Sequence, residues 1–321
     1  MQRSNRKKVT MDDIAKRLGI SKNSVSLALN NKPGVSDELR RRVIEIACQL
    51  NYGGFSINEK SKSKCIIIIV PEYLINDTFF YSEVLWAIEK EAKNQGCISV
   101  TTSITHEAEE NLLLPPIPHE MNILGFLVIG IIKENYLKKL YDIGLPILTV
   151  DILYNNVPVD SIVSANVNGA YIATKYLIDN GHKKIGFIGP IFSAQSIFER
   201  WCGFTQAMLK HDLEPNAGYN ILGTNEHFQL MDTTDVLEPY LNRIASYPTA
   251  WFCAGDRIAI SLINILSKRN IKVPDDISII GFDDLEVSKM IIPPLTTIKI
   301  DKKLMGKLAV DYLINRKFSE T

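Results

Sequence analysis

The chain has 321 residues, of which 46 % are apolar and 22 % are charged. This is the balance of a globular protein with two or three domains, and it excludes disorder throughout. Lys plus Arg and Asp plus Glu number 36 each, so the zero net charge by itself argues against nucleic-acid binding. Residues 1–64, however, carry 14 basic and 6 acidic side chains, and the rest of the chain is correspondingly acidic. A basic head on an acidic body is typical of a nucleic-acid-binding domain attached to another domain.

The cysteine pattern and the hydropathy indicate a cytoplasmic protein without membrane contact. The five cysteines are dispersed and form no C-x-x-C motif, which is typical of reduced thiols. The basic start leads into no apolar signal segment. The longest apolar run, Cys65–Val70, is far shorter than the roughly 20 residues of a membrane span.

The basic head predicts three short helices joined by tight turns. Thr10, Ser21 and Ser36 are N-cap candidates, and each precedes a run with apolar residues on one helical face. The segment 30–34, NNKPG, has turn chemistry and separates the second helix from the third. This is the layout of a helix-turn-helix domain, whose second helix enters the DNA major groove.

Several head residues have the chemistry of DNA contacts. Side chains at the start of the second helix can reach base edges, while capping hydroxyls, helix N-termini and Arg40 can hold phosphates. The alternative is a generic three-helix domain with solvated charges. The candidate DNA-binding residues are Thr10, Ser21, Lys22, Asn23, Ser26, Leu27, Asn30, Ser36 and Arg40.

The run from Val9 to Tyr52 closely resembles the DNA-binding domain of the lactose-repressor (LacI/GalR) family. It carries the T-x-x-D-I-A opening, a recognition helix of the S-x-x-T-V-S type and the V-S start of the third helix. The family usually has a base-contacting Arg where this chain has Leu27. An apolar side chain can touch a thymine methyl group but cannot make the bidentate bond of Arg to guanine. We therefore expect an operator that differs from the usual half-site of the family.

Residues 53–64, GGFSINEKSKSK, form the expected linker or hinge. In the family this joint carries a short hinge helix that wedges a Leu into the minor groove. Here Gly53 and Gly54 replace the helix-starting residues, and the joint contains no Leu. Phe55 or Ile57 could serve as an apolar wedge. The alternative, which the adjacent glycines favour, is a flexible tether.

From residue 65 onwards, continuous apolar runs alternate with helical patterns, which predicts doubly wound α/β sheets. The predicted helices lie near residues 80–95, 133–143, 167–180, 195–212, 232–246, 257–269 and 302–316. The predicted strands are Cys65–Val70, Ile98–Ser103, Leu124–Ile129, Pro146–Val150, Ser161–Ser164, Lys184–Ile188, Tyr219–Leu222, Ala250–Cys253 and Ser278–Gly281.

The loops of this body contain no recognisable catalytic motif. There is no G-x-x-x-x-G-K-[ST], no G-x-S-x-G and no strand followed by G-x-G-x-x-G. The five histidines lack metal-ligand spacing. Asp283 and Asp284 suggest acid–base or metal chemistry, but a hydrogen-bonding role is favoured because no third ligand lies nearby in sequence. We therefore expect neither an enzyme nor a metal or cofactor site.

The stretches NGHKKIGFIGP, AWFCAGDRIAI and VPDDISIIGFDD resemble the effector-binding core of the same family, which is similar to periplasmic sugar-binding proteins. The resemblance implies a helix-turn-helix domain (1–52), then a body of two α/β subdomains (65–163 plus 294–321, and 164–293) that dimerises through the first. By position it places effector contacts at Phe79, Tyr81, Asp151, Asn166, Arg200, Asp256 and Asp283.

These side chains suit a polyhydroxylated ligand, because carboxylates and guanidinium groups bond hydroxyl pairs and aromatic rings stack on sugars or bases. Plainer alternatives remain open. Arg200 could pair with a neighbouring carboxylate, Phe79 and Tyr81 could belong to the core, and Asn166 could cap the helix that follows.

Together these patterns predict a homodimeric transcriptional regulator, in the simplest case a repressor. Its partners are double-stranded operator DNA and a sugar-like small-molecule effector. Ala165 and Gly255 replace an Asp and an Asn of the family, so a body with a vestigial pocket that only dimerises stays open. A solute-binding protein and a sugar- or nucleoside-acting enzyme are disfavoured by the helix-turn-helix head and by the missing motifs.

Overall fold

The computed structural model describes residues 9–30, 32–50, 52, 63–75, 79–117, 121–223 and 233–315. The chain passes from one compact unit, the head, into a second, the body, between Ser63 and Lys64. Of the predicted joint (53–64), residues 53–62 lie outside the described residues, and with them the wedge candidates Phe55 and Ile57; Lys64 already belongs to the first strand of the body.

The head consists of three helices that begin where the capping residues predict. The Asp13 carboxylate accepts hydrogen bonds from the amide and the hydroxyl of Thr10, both at 2.8 Å, which fixes the first helix start. Gly19 ends that helix with a φ of 67°. Ile14 and Val25 are fully buried in the small core that the helices share. The helices are α1 (Met11–Leu18), α2 (Lys22–Leu29) and α3 (Asp37–Gln49).

The body begins with a five-stranded sheet of order β2-β1-β3-β4-β5, in which the pairs β1–β2, β3–β4 and β4–β5 are parallel. The run of apolar residues in β1 is buried throughout, as expected for a strand covered on both faces. The strands are β1 (Lys64–Pro71), β2 (Ile98–Ile104), β3 (Asn122–Ile129), β4 (Ile147–Val150) and β5 (Asp160–Ile162). Between them lie α4 (Phe80–Asn94), α5 (His106–Glu110) and α6 (Glu134–Tyr141).

A second, four-stranded parallel sheet of order β6-β7-β8-β9 follows. Its strands are β6 (Ile185–Ile188), β7 (Ala250–Cys253), β8 (Ser278–Asp283) and β9 (Thr296–Lys299). Its helices are α7 (Asn166–Asp179), α8 (Gln195–Lys210), α9 (Thr234–Leu241), α10 (Asp256–Lys268) and α11 (Glu286–Met290). Helix α12 (Lys302–Asn315) packs on α4, β4 and β5 of the first sheet. The first subdomain is therefore the first sheet with α4–α6 and α12, and the second is the second sheet with α7–α11.

Two predictions about the strands are wrong. Residues 219–222 form no regular strand: Ala217–Tyr219 is a 3-10 turn, and Ile221 makes a single bridge to Ile188. The Trp251 indole donates to the Tyr219 carbonyl at 2.9 Å, so a side chain occupies an acceptor that a ladder would use. Conversely, β9 was not predicted, because this edge strand is only partly buried and lacks a continuous apolar run.

The expected return to the first subdomain at residue 294 also needs correction. Thr297 and Ile298 of β9 pair with Gly281 and Phe282 of the second sheet. The return therefore lies between Lys299 and Lys302, where β9 ends and α12 begins. Within the described ranges, no helix is long and apolar enough to cross a membrane.

Candidate functional site

The three capping hydroxyls of the head are exposed and already engaged in helix starts. The Thr10 hydroxyl donates to Asp13, whereas Ser21 Oγ accepts from the Ser24 amide at 3.0 Å. Ser36 Oγ accepts from the amide at position 39 at 3.2 Å. These contacts set the helix N-termini, and a phosphate contact by the same hydroxyls stays a prediction.

The N-terminal end of α2 presents Lys22 and Asn23, both exposed. The Lys22 ammonium lies 3.2 Å from the Asp12 carboxylate, a solvent-exposed ion pair that DNA can replace at little cost. At the other end of α2, the Asn30 amide donates to the Ser26 carbonyl at 2.8 Å and closes the helix.

Leu27 is half-buried beside the turn that follows α2. Its Cδ1 atom lies 3.3 Å from the position that a β-carbon would take at Gly34. Leu27 therefore packs close to a turn at which the φ of 114° favours glycine. A base contact by Leu27 stays a prediction.

Arg40 lies partly buried in α3 and holds the C-terminal end of α2. Its guanidinium donates to the carbonyls of Leu27 and Ala28, each at 3.3 Å, and to that of Lys32 at 2.8 Å. The carbonyls of Leu27 and Ala28 belong to the last turn of α2, where the carbonyls have no partner within the helix. Arg40 thus holds the end of α2, a structural role that the sequence did not indicate. Its contact with a DNA phosphate stays a prediction.

Arg200, in the middle of α8, is a buried charged group of the body, only 5 % exposed. Its Nη1 atom lies 3.2 Å from Asp283 Oδ1 and also donates to the Ala254 carbonyl. Its Nε donates to Asn166 Oδ1 at 3.0 Å, and its guanidinium stacks 3.9 Å from the Phe282 ring centroid. The Arg200 guanidinium is therefore paired with a carboxylate and held in one orientation by its hydrogen bonds.

Asn166 does not cap α7, because the helix already begins at Asn166 and its N-cap position is Ala165. The Asn166 side chain is 2 % exposed and joins two helices instead. Its amide donates to Glu199 at 3.0 Å, while its oxygen accepts from Arg200. The capping alternative is therefore wrong, and Asn166 positions Arg200.

Asp151 follows β4 in a left-handed conformation, with a φ of 67°. The Tyr81 hydroxyl donates to Oδ2 at 3.4 Å, whereas Oδ1 is buried and has no hydrogen-bond partner among the described residues. Burial raises the pKa of Asp151 to about 6, although Arg200 and Tyr81 oppose the shift. Burial likewise raises the pKa of Asp283 to about 7, against the attraction of Arg200. Both carboxyl groups therefore titrate near neutral pH.

Asp256 is fully buried at the start of α10, and the structure gives it a different role from the predicted effector contact. Its Oδ2 accepts from the Leu285 amide at 2.8 Å and from the Ser288 hydroxyl at 2.6 Å, and its Oδ1 accepts from the Thr297 hydroxyl. A β-carbon at Gly281 would lie 2.3 Å from Oδ1, so the neighbouring strand is fitted around this carboxylate. Asp256 therefore organises the second sheet, and its oxygens are occupied by protein donors.

Phe79 and Tyr81 lie at the start of α4, half-buried, and pack against the core. The Arg257 guanidinium lies 5.2 Å from the Phe79 ring centroid. Sequence reasoning missed Arg257, because this cation–π contact joins two distant parts of the chain. Among the described residues, no group of three or more His, Cys, Asp or Glu side chains could hold a metal ion.

Comparison with known proteins bears on both units. Residues 10–53 match the family model of bacterial regulatory proteins of the lacI family, and residues 174–320 match that of a periplasmic binding protein-like domain. The chain is 30 % identical over 311 residues to the HTH-type transcriptional repressor PurR of Vibrio campbellii, covering 96 % of this chain and 91 % of that protein. The ribose operon repressor of Haemophilus influenzae is 30 % identical over 311 residues, with the same coverage.

Solved structures agree with this assignment. The lac repressor dimer bound to operator and an anti-inducer is 25 % identical, with a TM-score of 0.64 over 96 % of this chain and 92 % of that one. The complex of the regulator CelR with cellobiose has a TM-score of 0.67 over 98 % and 94 % of the two chains; at 21 % identity it shows the fold alone. The predicted fold and family are confirmed: the chain belongs to the lacI family of bacterial regulatory proteins, DNA-binding transcriptional repressors that small-molecule effectors control.

Proposed function

We propose that this chain is a homodimeric repressor whose operator affinity is set by a small, uncharged, hydroxyl-rich effector bound beside Asp151, Arg200 and Asp283. The observation that carries the proposal is Asp151 Oδ1, which is buried and has no hydrogen-bond partner among the described residues. Leaving such an acceptor unpaired costs about 1–3 kcal/mol, so a ligand hydroxyl that donates to it gains that much.

The charges around this acceptor favour an uncharged ligand. Arg200 is already neutralised by Asp283 at 3.2 Å, and Asp151 adds a second carboxylate. Above the raised pKa values of Asp151 and Asp283, an anionic ligand would therefore meet two carboxylates for one guanidinium. A polyol or nucleoside can instead donate hydroxyl protons to the carboxylates, and the half-buried Phe79 and Tyr81 are candidates to stack on its ring.

The relatives support the same class of ligand and the same assembly. One relative is named a ribose operon repressor, and one structure of this fold holds cellobiose. The lac repressor binds its operator as a dimer, and a dimer of this chain would present two α2 helices to a pseudo-palindromic site. A protein that binds chromosomal DNA in bacteria works in the cytoplasm, which we propose for this chain.

Regulation follows from linkage. An effector changes operator affinity only by its difference in affinity for the two states of the body, and the operator acts back on the effector by the same factor. A coupling of about 1–3 kcal/mol gives a roughly 5- to 150-fold change in operator affinity.

The test has two stages. Ribose, cellobiose and adenosine are screened by thermal shift, with ribose 5-phosphate as the anionic comparison. Each stabilising compound is then added to anisotropy titrations with the DNA upstream of the chain's own gene. We expect a neutral compound to stabilise the protein and to change operator affinity about fivefold or more. Asp151→Asn should lose this response, and Asp142→Asn, on an exposed helix end, should keep it.

Two results would count against the proposal. Tighter binding of ribose 5-phosphate than of ribose would refute the uncharged ligand class. Operator binding that no stabilising compound alters would favour the vestigial pocket, with the body acting only as a dimerisation platform.

A further inference from the structure

A buried lysine joins the two subdomains of the body. Lys302 is 4 % exposed and begins α12, which packs on α4 of the first subdomain. Its ammonium donates to the carbonyl oxygens of Asp283 at 2.9 Å and Asp284 at 3.1 Å, at the end of β8 in the second subdomain. The same ammonium lies 3.4 Å from the Glu83 carboxylate of α4 and 5.7 Å from the Phe80 ring centroid. One cation thus touches both subdomains.

The turn that Lys302 holds is strained. Asp283 has a φ of 114° and Asp284 a φ of 50°, a region of backbone conformation that side-chain-bearing residues rarely adopt. Such residues persist only where their surroundings fix them, and they concentrate at ligand sites and switches. Here the two successive carbonyls converge on one ammonium, which is itself anchored by Glu83.

Asp283 connects this turn to the proposed effector site. Its side chain pairs with Arg200, 3.2 Å away, while its carbonyl accepts from Lys302. A ligand hydroxyl that donates to the Asp283 carboxylate therefore acts on the residue whose carbonyl Lys302 holds. Because the carboxylate and the carbonyl belong to one residue, a shift of the carboxylate can move the backbone group that Lys302 holds.

We propose that Lys302 is the positioning residue that couples the effector cleft to the arrangement of the two subdomains. It clamps the Asp283–Asp284 turn against α4, and an effector bound at Arg200 acts on this clamp through Asp283. The inference rests on the proposed function for the identity of the Arg200 site as the effector cleft. A claim of coupling requires that the clamp has two states, and the experiments below test for the second one.

The first experiment measures the distance between the subdomains in the full chain, without ligand or DNA. Nitroxide-bearing unnatural residues replace the exposed Lys93 of α4 and Lys268 of α10. Lys302→Met removes the charge and keeps the stem, Glu83→Gln weakens only the anchor, and Lys303→Met is the exposed neighbouring control. We expect Lys302→Met to broaden the distance distribution or add a second distance, Glu83→Gln to do so less, and Lys303→Met to match the wild type.

The second experiment measures operator affinity with and without whichever of ribose, cellobiose and adenosine stabilises the wild type. We expect the effector-dependent ratio, about fivefold or more in the wild type, to fall towards one in Lys302→Met. A lower melting temperature with an unchanged distance distribution in both Lys302→Met and Glu83→Gln would overturn the inference and leave Lys302 a packing residue. If Lys302→Met alters the distance while no compound changes the operator affinity of the wild type, that combination would support the clamp and refute the proposed function. Should Lys302→Met not fold, Glu83→Gln decides the question.

Discussion

Arg200 and Asp283 form a buried ion pair whose nitrogen and oxygen are 3.2 Å apart, although 82 residues separate them in the chain. The pair lies where β8 ends beside α8. In parallel sheets, ligands bind at this edge, beyond the carboxyl ends of the strands. The same two residues therefore bear on the stability of the body and on its proposed ligand.

Arg200→Met should destabilise the body, because it leaves the Asp283 carboxylate buried without its cation. Breaking one side of a buried pair costs about 3–5 kcal/mol, and protonation of Asp283 limits this cost as the pH falls. We expect the free energy of unfolding, measured with urea, to fall by about 3 kcal/mol at pH 8 and by less at pH 5. Lys210→Met, at the exposed end of the same helix, is the control. An equal loss at both pH values would contradict this account.

The stability of the body should decrease as the pH rises from about 4 to about 7. Burial raises the pKa of Asp151 to about 6 and that of Asp283 to about 7, so the folded protein binds these protons more tightly than the unfolded chain. The resulting stabilisation is complete below the ordinary carboxyl pKa and is lost as the pH passes the raised values. The slope is at most about 1.4 kcal/mol per pH unit and group.

Urea titrations across this range provide the measurement. Asp151→Asn should flatten the slope, because the amide does not titrate. Asp275→Asn, at an exposed position, should leave it unchanged. A wild-type slope of the opposite sign, unaltered by Asp151→Asn, would show that other groups dominate.

Asp256→Ala should cost stability without directly removing a ligand contact. Both Asp256 oxygens accept hydrogen bonds from protein donors, and the variant leaves the Leu285 amide and the Ser288 and Thr297 hydroxyls without this acceptor. We expect a loss of about 1–3 kcal/mol in unfolding free energy. Ligand affinity measured by calorimetry should change little. A tenfold loss of affinity with unchanged stability would restore Asp256 as a direct effector contact.

Arg40→Met should loosen the end of the recognition helix. It removes the guanidinium that donates to two carbonyls in the last turn of α2 and to the Lys32 carbonyl in the turn that follows. Hydrogen exchange in the full chain should speed up for the amides of residues 24–30, whereas Arg41→Met, an exposed neighbour, should not affect them. Unchanged exchange together with a weaker salt dependence of DNA binding would assign Arg40 to phosphate contact alone.

Leu27→Arg should change the selected operator. Arg offers guanine a bidentate hydrogen bond that Leu27 cannot make. Such a contact favours guanine over the other bases by about 1–3 kcal/mol of binding free energy. Selection from a randomised DNA library should therefore yield guanine at the contacted position for the variant only. Identical selected sites for the wild type and the variant would show that this side chain reads no base. Asn23→Ala is the control: it changes a different candidate base contact and should not select guanine at the position that Leu27→Arg contacts.

Much of this architecture is readable in the sequence, because the responsible interactions are local. Thr10, Ser21 and Ser36 act within one turn of the helices they begin, so their residue types predict the head. Likewise, the continuous apolar run of β1 predicts that this strand is covered on both faces of the sheet, as the structure shows. The family resemblance then places Asp151, Arg200 and Asp283 in one cleft.

Only the tertiary structure decided what each polar group does there. Asp256 and Asp283 both follow or begin elements at the same sheet edge, yet one is fully occupied by protein donors and the other faces Arg200. Lys302 begins its helix with a second lysine beside it and looks solvated in sequence, but it is buried between subdomains. A sequence pattern shows the helix or strand propensity of a segment and which of its residues recur on the buried face. The partner of a buried charge depends on which distant segments the packed sheets bring within a few ångströms, and no local pattern encodes that.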